Sequence, residues 1–153
     1  MRNQAKIYSA SKVWLAPFFQ ELRDSEGYNI VSRWIDLDND SKFVTERKDL
    51  LWEMCLEDCI DCDLLICYCR EFEENQRGAL VEIGHVLALG KPVFCVNDCV
   101  TLSPCPESDV AFTHHENFHW VNDPAKGRIS AKMGFYRAMR QFQAMQREQR
   151  IAA

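Results

Sequence analysis

The chain lacks any apolar run long enough to span a bilayer, and its first residues contain no hydrophobic segment typical of a signal peptide. These absences exclude an integral membrane protein and argue against secretion, so we expect a cytoplasmic protein with no membrane partner. At 153 residues the chain is long enough to bury a substantial core without disulfides or a metal. We therefore expect a single domain over residues 1–153.

A basic stripe is also missing. The net charge is −5, and the lysine and arginine residues are scattered apart from a mild cluster near the C-terminus. Proteins that bind nucleic acid polymers usually present clustered positive charge, so this class is poorly supported. A dissolved small molecule is the better prediction for a partner.

Neither a GxGxxG motif nor a P-loop is present, so binding of a dinucleotide or a triphosphate is weakly supported. Eight cysteines are many for this length, but in a reducing cytosol they are thiols. Cys59 and Cys62 have a spacing seen in zinc sites, and so do His115 and His119. However, no second CxxC exists and the first one ends a predicted helix. We predict packed thiols, no metal and no cofactor, with structural zinc as the alternative.

The chain does contain an alternation of short β-type runs and amphipathic helical stretches, which is typical of a parallel sheet covered on both faces. Five strands are predicted, at residues 6–9, 28–34, 63–69, 92–96 and 118–121. Helices are predicted at about 13–25, 45–61 and 78–88, and a long one from about 129. The predicted fold class is a three-layer α/β fold, flavodoxin-like or Rossmann-like, with a five-stranded, mainly parallel sheet flanked by helices.

Glu82 has unusual neighbours on its predicted helix. On a helical wheel these neighbours are Gly78, Ala79, Val86 and Leu89. The carboxylate therefore lies on an apolar stripe of small residues, where an unpaired charge is costly and burial should raise its pKa. The alternative is a helix rotated slightly, so that Glu82 reaches water.

Three segments should converge at the carboxyl ends of the strands, where ligands bind in open parallel sheets. They are residues 8–11, 33–36 and 73–77. The first is rich in small residues and precedes a helix N-terminus, whose free N–H groups suit a phosphate or a hydroxyl. The alternative for Ser9 and Ser11 is a purely structural role as caps of that helix.

Several motifs now point to one family. They are KIYSAS at 6–11, CDLLI at 62–66, RGALVEIG at 77–84, ALGKPV at 88–93 and HHENFH at 114–119. Together, over roughly residues 5–121, they resemble the nucleoside 2-deoxyribosyltransferase family, and most closely its phage and bacterial subgroup with an RGAxxEiG motif. The resemblance implies a flavodoxin-like fold, homo-oligomers and no metal or organic cofactor. It also implies cleavage or transfer at the N-glycosidic bond of a (deoxy)nucleoside or nucleoside 5′-monophosphate.

The resemblance also implies roles for single residues. Glu82 matches the nucleophile that attacks the anomeric carbon, and Tyr8 matches a tyrosine that orients it. Asn117 matches an asparagine that reaches the sugar from a neighbouring subunit. The predicted sugar or phosphate wall consists of Ser9, Ala10, Ser11, Asn75, Gln76, Arg77 and Gly78.

The chain departs from the family where an aspartate usually contacts the base, because it has Cys55 there. Asp58, one turn later, could substitute in catalysis, and so could Asp36 at the substrate; a solvated acid near a helix end is the alternative for Asp58. Trp14 and Trp34 could stack on a base, although core packing is the alternative for Trp34.

The predicted function is therefore cleavage or transfer at an N-glycosidic bond through a glutamate nucleophile. Whether water or a second base resolves the intermediate stays open, so hydrolase and transferase are both possible. The alternative is a non-catalytic nucleotide-binding or sensing protein that retains the fold, which Cys55 favours. The apolar stripe of the last helix and the expected role of Asn117 favour a homodimer or a higher homo-oligomer.

Overall fold

The computed structural model describes residues 4–37, 46–70, 77–98, 111–123 and 126–153. Across these ranges four parallel strands lie in the order β1-β2-β3-β4: β1 Ile7–Ala10, β2 Leu64–Arg70, β3 Val93–Asp98 and β4 Phe118–Trp120. Four α-helices accompany them: α1 Ala16–Asp24, α2 Lys48–Asp61, α3 Arg77–Ala88 and α4 Ala131–Ala152. The predicted α/β fold, with a parallel sheet flanked by helices, is confirmed.

The sheet is covered on both faces, as the side chains of its central strands require. Along β2, Leu64, Ile66 and Tyr68 belong to one buried cluster, which includes apolar residues of α1 and α4. Leu65 and Cys67 belong to the other, which includes residues of α2 and α3. Successive residues of a strand point to opposite faces, so a strand buried on both sides is apolar throughout. The chain is therefore arranged in three layers.

The prediction of a strand over residues 28–34 is wrong, and the described sheet has four strands instead of five. This segment makes only an isolated parallel bridge to β1, at Ile30. Beyond it, side chains satisfy the edge of β1: Ser9 N–H donates to Ser32 Oγ at 2.6 Å, and Trp34 Nε1 donates to the Ser9 carbonyl oxygen at 2.8 Å. The Ser9 backbone groups are therefore bound by side chains and not by the backbone of a neighbouring strand. The chain turns here into a short 3-10 helix, Arg33–Asp36, and does not continue the β-ladder.

The bridging segment also defines where a ligand can bind. It lies on one side of β1, whereas β2 lies on the other side. The chain therefore changes direction across the sheet at β1, and the carboxyl ends of β1 and β2 form a topological switch point. Crevices of open α/β sheets lie at such points. Helix α3 follows β2 in sequence and packs on β1, β2 and β3, which places its residues beside this crevice.

Helix α4 is the longest helix, and one stripe of it is buried. It begins after Ser130, whose Oγ accepts a hydrogen bond from the Met133 N–H at 3.2 Å. Its buried residues are Gly134, Phe135, Ala138, Met139 and Phe142. This stripe packs against the sheet, in the same buried cluster as apolar residues of β1, β2 and β3. None of the helices in the described ranges is long and apolar enough to cross a membrane.

Candidate active site

A buried tyrosine and a buried glutamate meet at the switch point. Tyr8 lies in β1 and is fully buried, and its hydroxyl donates a hydrogen bond to Glu82 Oε1 at 2.7 Å. Glu82 lies in α3, and only 8 % of its surface is exposed. The rotated-helix alternative, in which Glu82 reaches water, is therefore wrong. The two residues are 74 positions apart, and only the packing of α3 on β1 brings them together.

Burial changes the proton affinity of this pair. Loss of solvation, with a smaller contribution from the nearby charge of Asp58, raises the pKa of Glu82 to about 7. The hydrogen bond from Tyr8 and the neighbouring Cys55 thiol favour the ionised form and partly offset this rise in the pKa. Burial and the adjacent carboxylate also raise the pKa of Tyr8 far above its usual range, so its hydroxyl stays protonated and can act as a donor. The site thus holds a carboxyl group that titrates near neutral pH.

Beside Glu82 lies a cavity of about 570 Å³, a size that suits a small-molecule ligand. Three tryptophans line it: Trp14, Trp34 and Trp52. Their flat faces can stack against an aromatic ring. The other lining residues are Ser11, Lys12, Val13, Ala16, Pro17, Gln20, Ile35, Leu37, Leu51, Cys55, Gly78, Ala79 and Glu82. Among these described residues Glu82 is the one with a carboxyl group.

The structure brings part of the predicted site together. Ser11, Trp14, Trp34 and Gly78 all line the cavity with Glu82. Trp34 lines the cavity and also packs against the core, and its N–H donates to the Ser9 carbonyl oxygen of β1. Its contact with a ligand stays a prediction.

Other predicted residues of the first strand lie behind the wall. Ser9 and Ala10 are buried, and Ser9 Oγ lies 3.0 Å from Ser32 Oγ. Neither residue lines the cavity. Their contact with a ligand stays a prediction, and the contacts present here are structural.

The other two predicted acids, Asp58 and Asp36, do not line the cavity. Each accepts hydrogen bonds from an arginine instead. Asp58 is buried and accepts hydrogen bonds from the Arg33 backbone N–H at 2.8 Å and from Arg33 Nε at 2.6 Å. These bonds anchor the 3-10 turn that carries Trp34. Asp36 accepts hydrogen bonds from both terminal nitrogens of Arg23, at 2.7 and 2.9 Å. Direct roles for the two acids in catalysis or substrate binding stay predictions.

The remaining predicted residues lie elsewhere. Asn117 precedes β4, and its carbonyl oxygen accepts a hydrogen bond from Val93 at the first residue of β3. This is the amino end of the sheet, opposite the cavity, so Asn117 could reach a sugar only in a neighbouring subunit, which stays a prediction. Asn75 and Gln76 lie outside the described residues, and Arg77 begins α3.

Sequence reasoning missed three polar or aromatic members of the wall: Lys12, Gln20 and Trp52. Gln20 Nε2 donates to the Ile35 carbonyl oxygen at 2.8 Å and so ties α1 to the turn after the bridge. Trp52 lies one turn before Cys55 on α2. Because residues three apart share a helix face, this spacing from Cys55 could have indicated that Trp52 lines the cavity.

A thiol cluster consists of Cys67, Cys69 and Cys95, whose sulfur atoms all lie within 4.8 Å of one another in the core between the sheet and the helices α2 and α3. Thiolates at such distances could hold a soft metal ion. However, the cluster is buried among apolar residues, where three thiolates around an ion would leave an uncompensated charge. At the CxxC, Cys62 Sγ donates to the Cys59 carbonyl oxygen at 3.2 Å, as a packed thiol does. Packed thiols remain our interpretation.

No protein-family model matches the chain, and no curated protein sequence matches it significantly. Among solved structures, a CMP N-glycosidase from Clostridium botulinum is similar, with 14% sequence identity over 75% of this chain and 86% of that chain, and a TM-score of 0.45. A similarity with this sequence identity and this TM-score identifies neither a family nor an activity for the chain. Membership of the nucleoside 2-deoxyribosyltransferase family therefore stays a prediction.

Proposed function

We propose that this protein cleaves the N-glycosidic bond of a (deoxy)nucleoside or a nucleoside 5′-monophosphate, with Glu82 as the nucleophile and Tyr8 as the residue that orients it. The observation that supports this best is the 2.7 Å hydrogen bond from the Tyr8 hydroxyl to Glu82 Oε1 at the wall of a ligand-sized cavity. A tyrosine held protonated by burial leaves one carboxylate oxygen fixed. The second oxygen can then meet a reacting carbon in a constant orientation.

The proposed reaction has two steps. The ionised Glu82 attacks the anomeric carbon, the bond from that carbon to the base nitrogen breaks, and the base leaves with the bonding electrons and takes a proton from solvent. This gives a glycosyl ester of Glu82. Water, or the nitrogen of a second base, then attacks the same carbon, loses its proton and releases the carboxylate. Water gives a hydrolase and a second base gives a transferase.

The composition of the cavity fits this substrate class. Glycosidic cleavage develops positive charge on the sugar, which an adjacent carboxylate stabilises in a poorly solvated site. The tryptophans Trp14, Trp34 and Trp52 offer apolar faces on which a planar base can stack. The cavity is also lined by Ser11, Gln20 and Lys12, whose hydroxyl, amide and ammonium groups suit a hydroxylated or phosphorylated sugar.

Release of free base from a panel of deoxynucleosides, ribonucleosides and their 5′-monophosphates, separated by liquid chromatography, tests the proposal. Wild-type protein should release base from at least one member, and Glu82→Gln should abolish the release. Glu53→Gln is the matched control, because Glu53 is an exposed acid of α2 outside the cavity, and it should leave the rate unchanged. A Glu82→Gln variant with near-wild-type rates would show that another residue does the chemistry. Adding a second free base distinguishes transfer, which makes a new nucleoside, from hydrolysis.

A second candidate is a non-catalytic nucleotide-binding or sensing protein. One feature favours it: Asp58 is occupied by Arg33, and the wall offers the neutral Cys55 where an acid would be needed to contact the base. If wild-type protein at high concentration cleaves nothing on the panel, while nucleotides still raise its melting temperature, this second function is correct.

A further inference from the structure

The 3-10 helix Arg33–Asp36, here called the Trp34 turn, contributes Trp34 and Ile35 to the cavity wall. Three neighbouring elements hold three consecutive residues of this turn by hydrogen bonds. Helix α2 binds Arg33, strand β1 binds Trp34 and helix α1 binds Ile35. A turn that is tethered residue by residue has few alternative conformations, so its aromatic side chain needs little reordering when a ligand binds.

The tether to α2 differs from the other two because its acceptor is a buried, charged group. Asp58 Oδ2 accepts a hydrogen bond from the Arg33 backbone N–H at 2.8 Å, and Asp58 Oδ1 accepts one from Arg33 Nε at 2.6 Å. The Asp58 side chain is 7 % exposed, whereas the Arg33 side chain is 52 % exposed. Hydrogen bonds to a charged acceptor are stronger than neutral ones, and burial reduces their screening by salt. Asp58 therefore holds the first residue of the Trp34 turn by both its backbone and its side chain.

Trp34 directly follows the residue that Asp58 holds. Its indole N–H donates to the Ser9 carbonyl oxygen at 2.8 Å, and its ring packs edge-on against Phe19, with the ring centroids 6.1 Å apart. Both contacts require the backbone of the Trp34 turn to stay in place. Loss of the Asp58 carboxylate would leave the Arg33 backbone N–H without this acceptor, which allows the start of the turn to shift.

We propose that Asp58 is a positioning residue for the aromatic wall: its two hydrogen bonds to Arg33 hold the Trp34 turn so that Trp34 offers a fixed surface on which a planar base stacks. Asp58 does not line the cavity, so it acts through Trp34 and not by contact with a ligand. The meaning of this role for substrate binding rests on the function proposed above, whereas the effect of Asp58 on the position of Trp34 does not.

The first test observes Trp34 directly, by fluorine-19 NMR of protein labelled with 5-fluorotryptophan. The chain has four tryptophans, and the Trp34 signal is assigned by its loss in Trp34→Phe. Asp58→Ala removes both acceptors, so the Trp34 signal should shift by more than its own line width or split into several signals. The signal of Trp120, which lies in β4 at the other edge of the sheet, should stay in place and serves as the internal reference.

Glu57→Ala is the matched control, because Glu57 is an exposed acid of α2 that binds the same guanidinium group, at Arg33 Nη2 and 2.8 Å. This change removes an ion pair of Arg33 but leaves both bonds to Asp58, so the Trp34 signal should not move. If Asp58→Ala does not fold, Asp58→Asn replaces it. Asparagine keeps the shape of the side chain but offers one acceptor oxygen to two donors, so the Trp34 signal should still move.

The second test applies to any nucleoside or 5′-monophosphate of the panel that is bound or cleaved. Asp58→Ala should raise its Kd or KM by about 5- to 100-fold, the range expected for loss of one stacked aromatic ring, and should change kcat less. In a Trp34→Ala background the same change should have no further effect, since the residue through which Asp58 acts is gone. The charge of Asp58 also acts on Glu82, but that effect would persist without Trp34, so the comparison separates the two roles.

Two results would overturn the inference. In one, a folded Asp58→Ala or Asp58→Asn variant leaves the Trp34 signal as unchanged as Glu57→Ala does. In the other, Asp58→Ala leaves Kd and KM unchanged, or raises them equally with and without Trp34. The NMR measurement needs no turnover, so it decides the role of Asp58 even for a protein that cleaves no nucleoside. Absence of base release together with a displaced Trp34 signal would count against the proposed function alone.

Discussion

Replacing Glu82 with glutamine removes an ionisable group from the cavity wall but keeps the size of the side chain and an oxygen that can accept from Tyr8. Burial raises the pKa of Glu82 to about 7, against 4.5 for an ordinary glutamate. The difference of about 2.5 pKa units corresponds to about 3 kcal/mol of differential stability between the protonated and ionised forms. That free energy should appear in the pH dependence of unfolding.

The sign follows from which state holds the proton more tightly. Below about pH 4.5 the carboxyl group is protonated in both states and has no effect on stability. Between about pH 4.5 and 7 the unfolded chain releases the proton while the folded protein keeps it, so the free energy of unfolding falls by about 1.4 kcal/mol per pH unit. Above about pH 7 the full loss is reached, and Glu82→Gln escapes it.

Urea denaturation of both proteins, from about pH 4.5 to about pH 8, measures the effect. The stability of Glu82→Gln relative to wild type should increase across this range by about 3 kcal/mol, or about 6 to 12 °C in Tm. Glu53→Gln, which changes an exposed acid, should follow the wild-type curve. Parallel curves for Glu82→Gln and wild type would refute the claim that a poorly solvated carboxyl group lies at this wall.

Three further outcomes are expected. Tyr8→Phe should lower kcat/KM for base release by about 10- to 100-fold, since a hydrogen bond to a charged group is worth about 1.5 to 3 kcal/mol; unchanged kinetics would contradict its orienting role. Gly134→Ala should destabilise the protein by about 1 to 3 kcal/mol in urea. The reason is that the added Cβ would lie 2.5 Å from Val96 Cγ1. Gly84→Ala, with nothing within 4 Å of its Cβ, should instead stabilise α3 by about 0.5 to 1 kcal/mol, and equal effects of the two changes would refute the close packing of α4 on β3. Protein purified without chelator should contain well under one metal ion per chain by plasma mass spectrometry, and a stoichiometric ion would show that the thiol cluster is a metal site.

The error at residues 28–34 shows where a local pattern stops being informative. The run has the composition of a strand, and its third residue, Ile30, does bridge to β1. What ends the strand is the replacement of backbone partners by the Ser32 hydroxyl and the Trp34 indole, both of which bind Ser9 across a separation of 23 or 25 residues. No periodicity in the segment encodes that exchange.

In the candidate site, too, some features follow from the local sequence pattern and others depend on tertiary contacts. The apolar stripe around Glu82 predicted its burial, because the spacing of side chains on a helix is a local property. The same reasoning could not predict that Asp58 turns to Arg33 and away from the cavity, since the two residues meet only through the packing of α2 against the turn. Trp52 and Gln20 became wall residues for the same reason.

By itself, the sequence determined the layered α/β architecture, the positions of α3 and α4, and the burial of one glutamate, since hydrophobic spacing reports which face of each element is apolar. Only the tertiary structure decided which donor each carboxylate meets, how many strands the sheet holds, and which side chains enclose the cavity. Those outcomes depend on contacts between residues far apart in the chain, and the free energy of a buried polar group is set by such contacts.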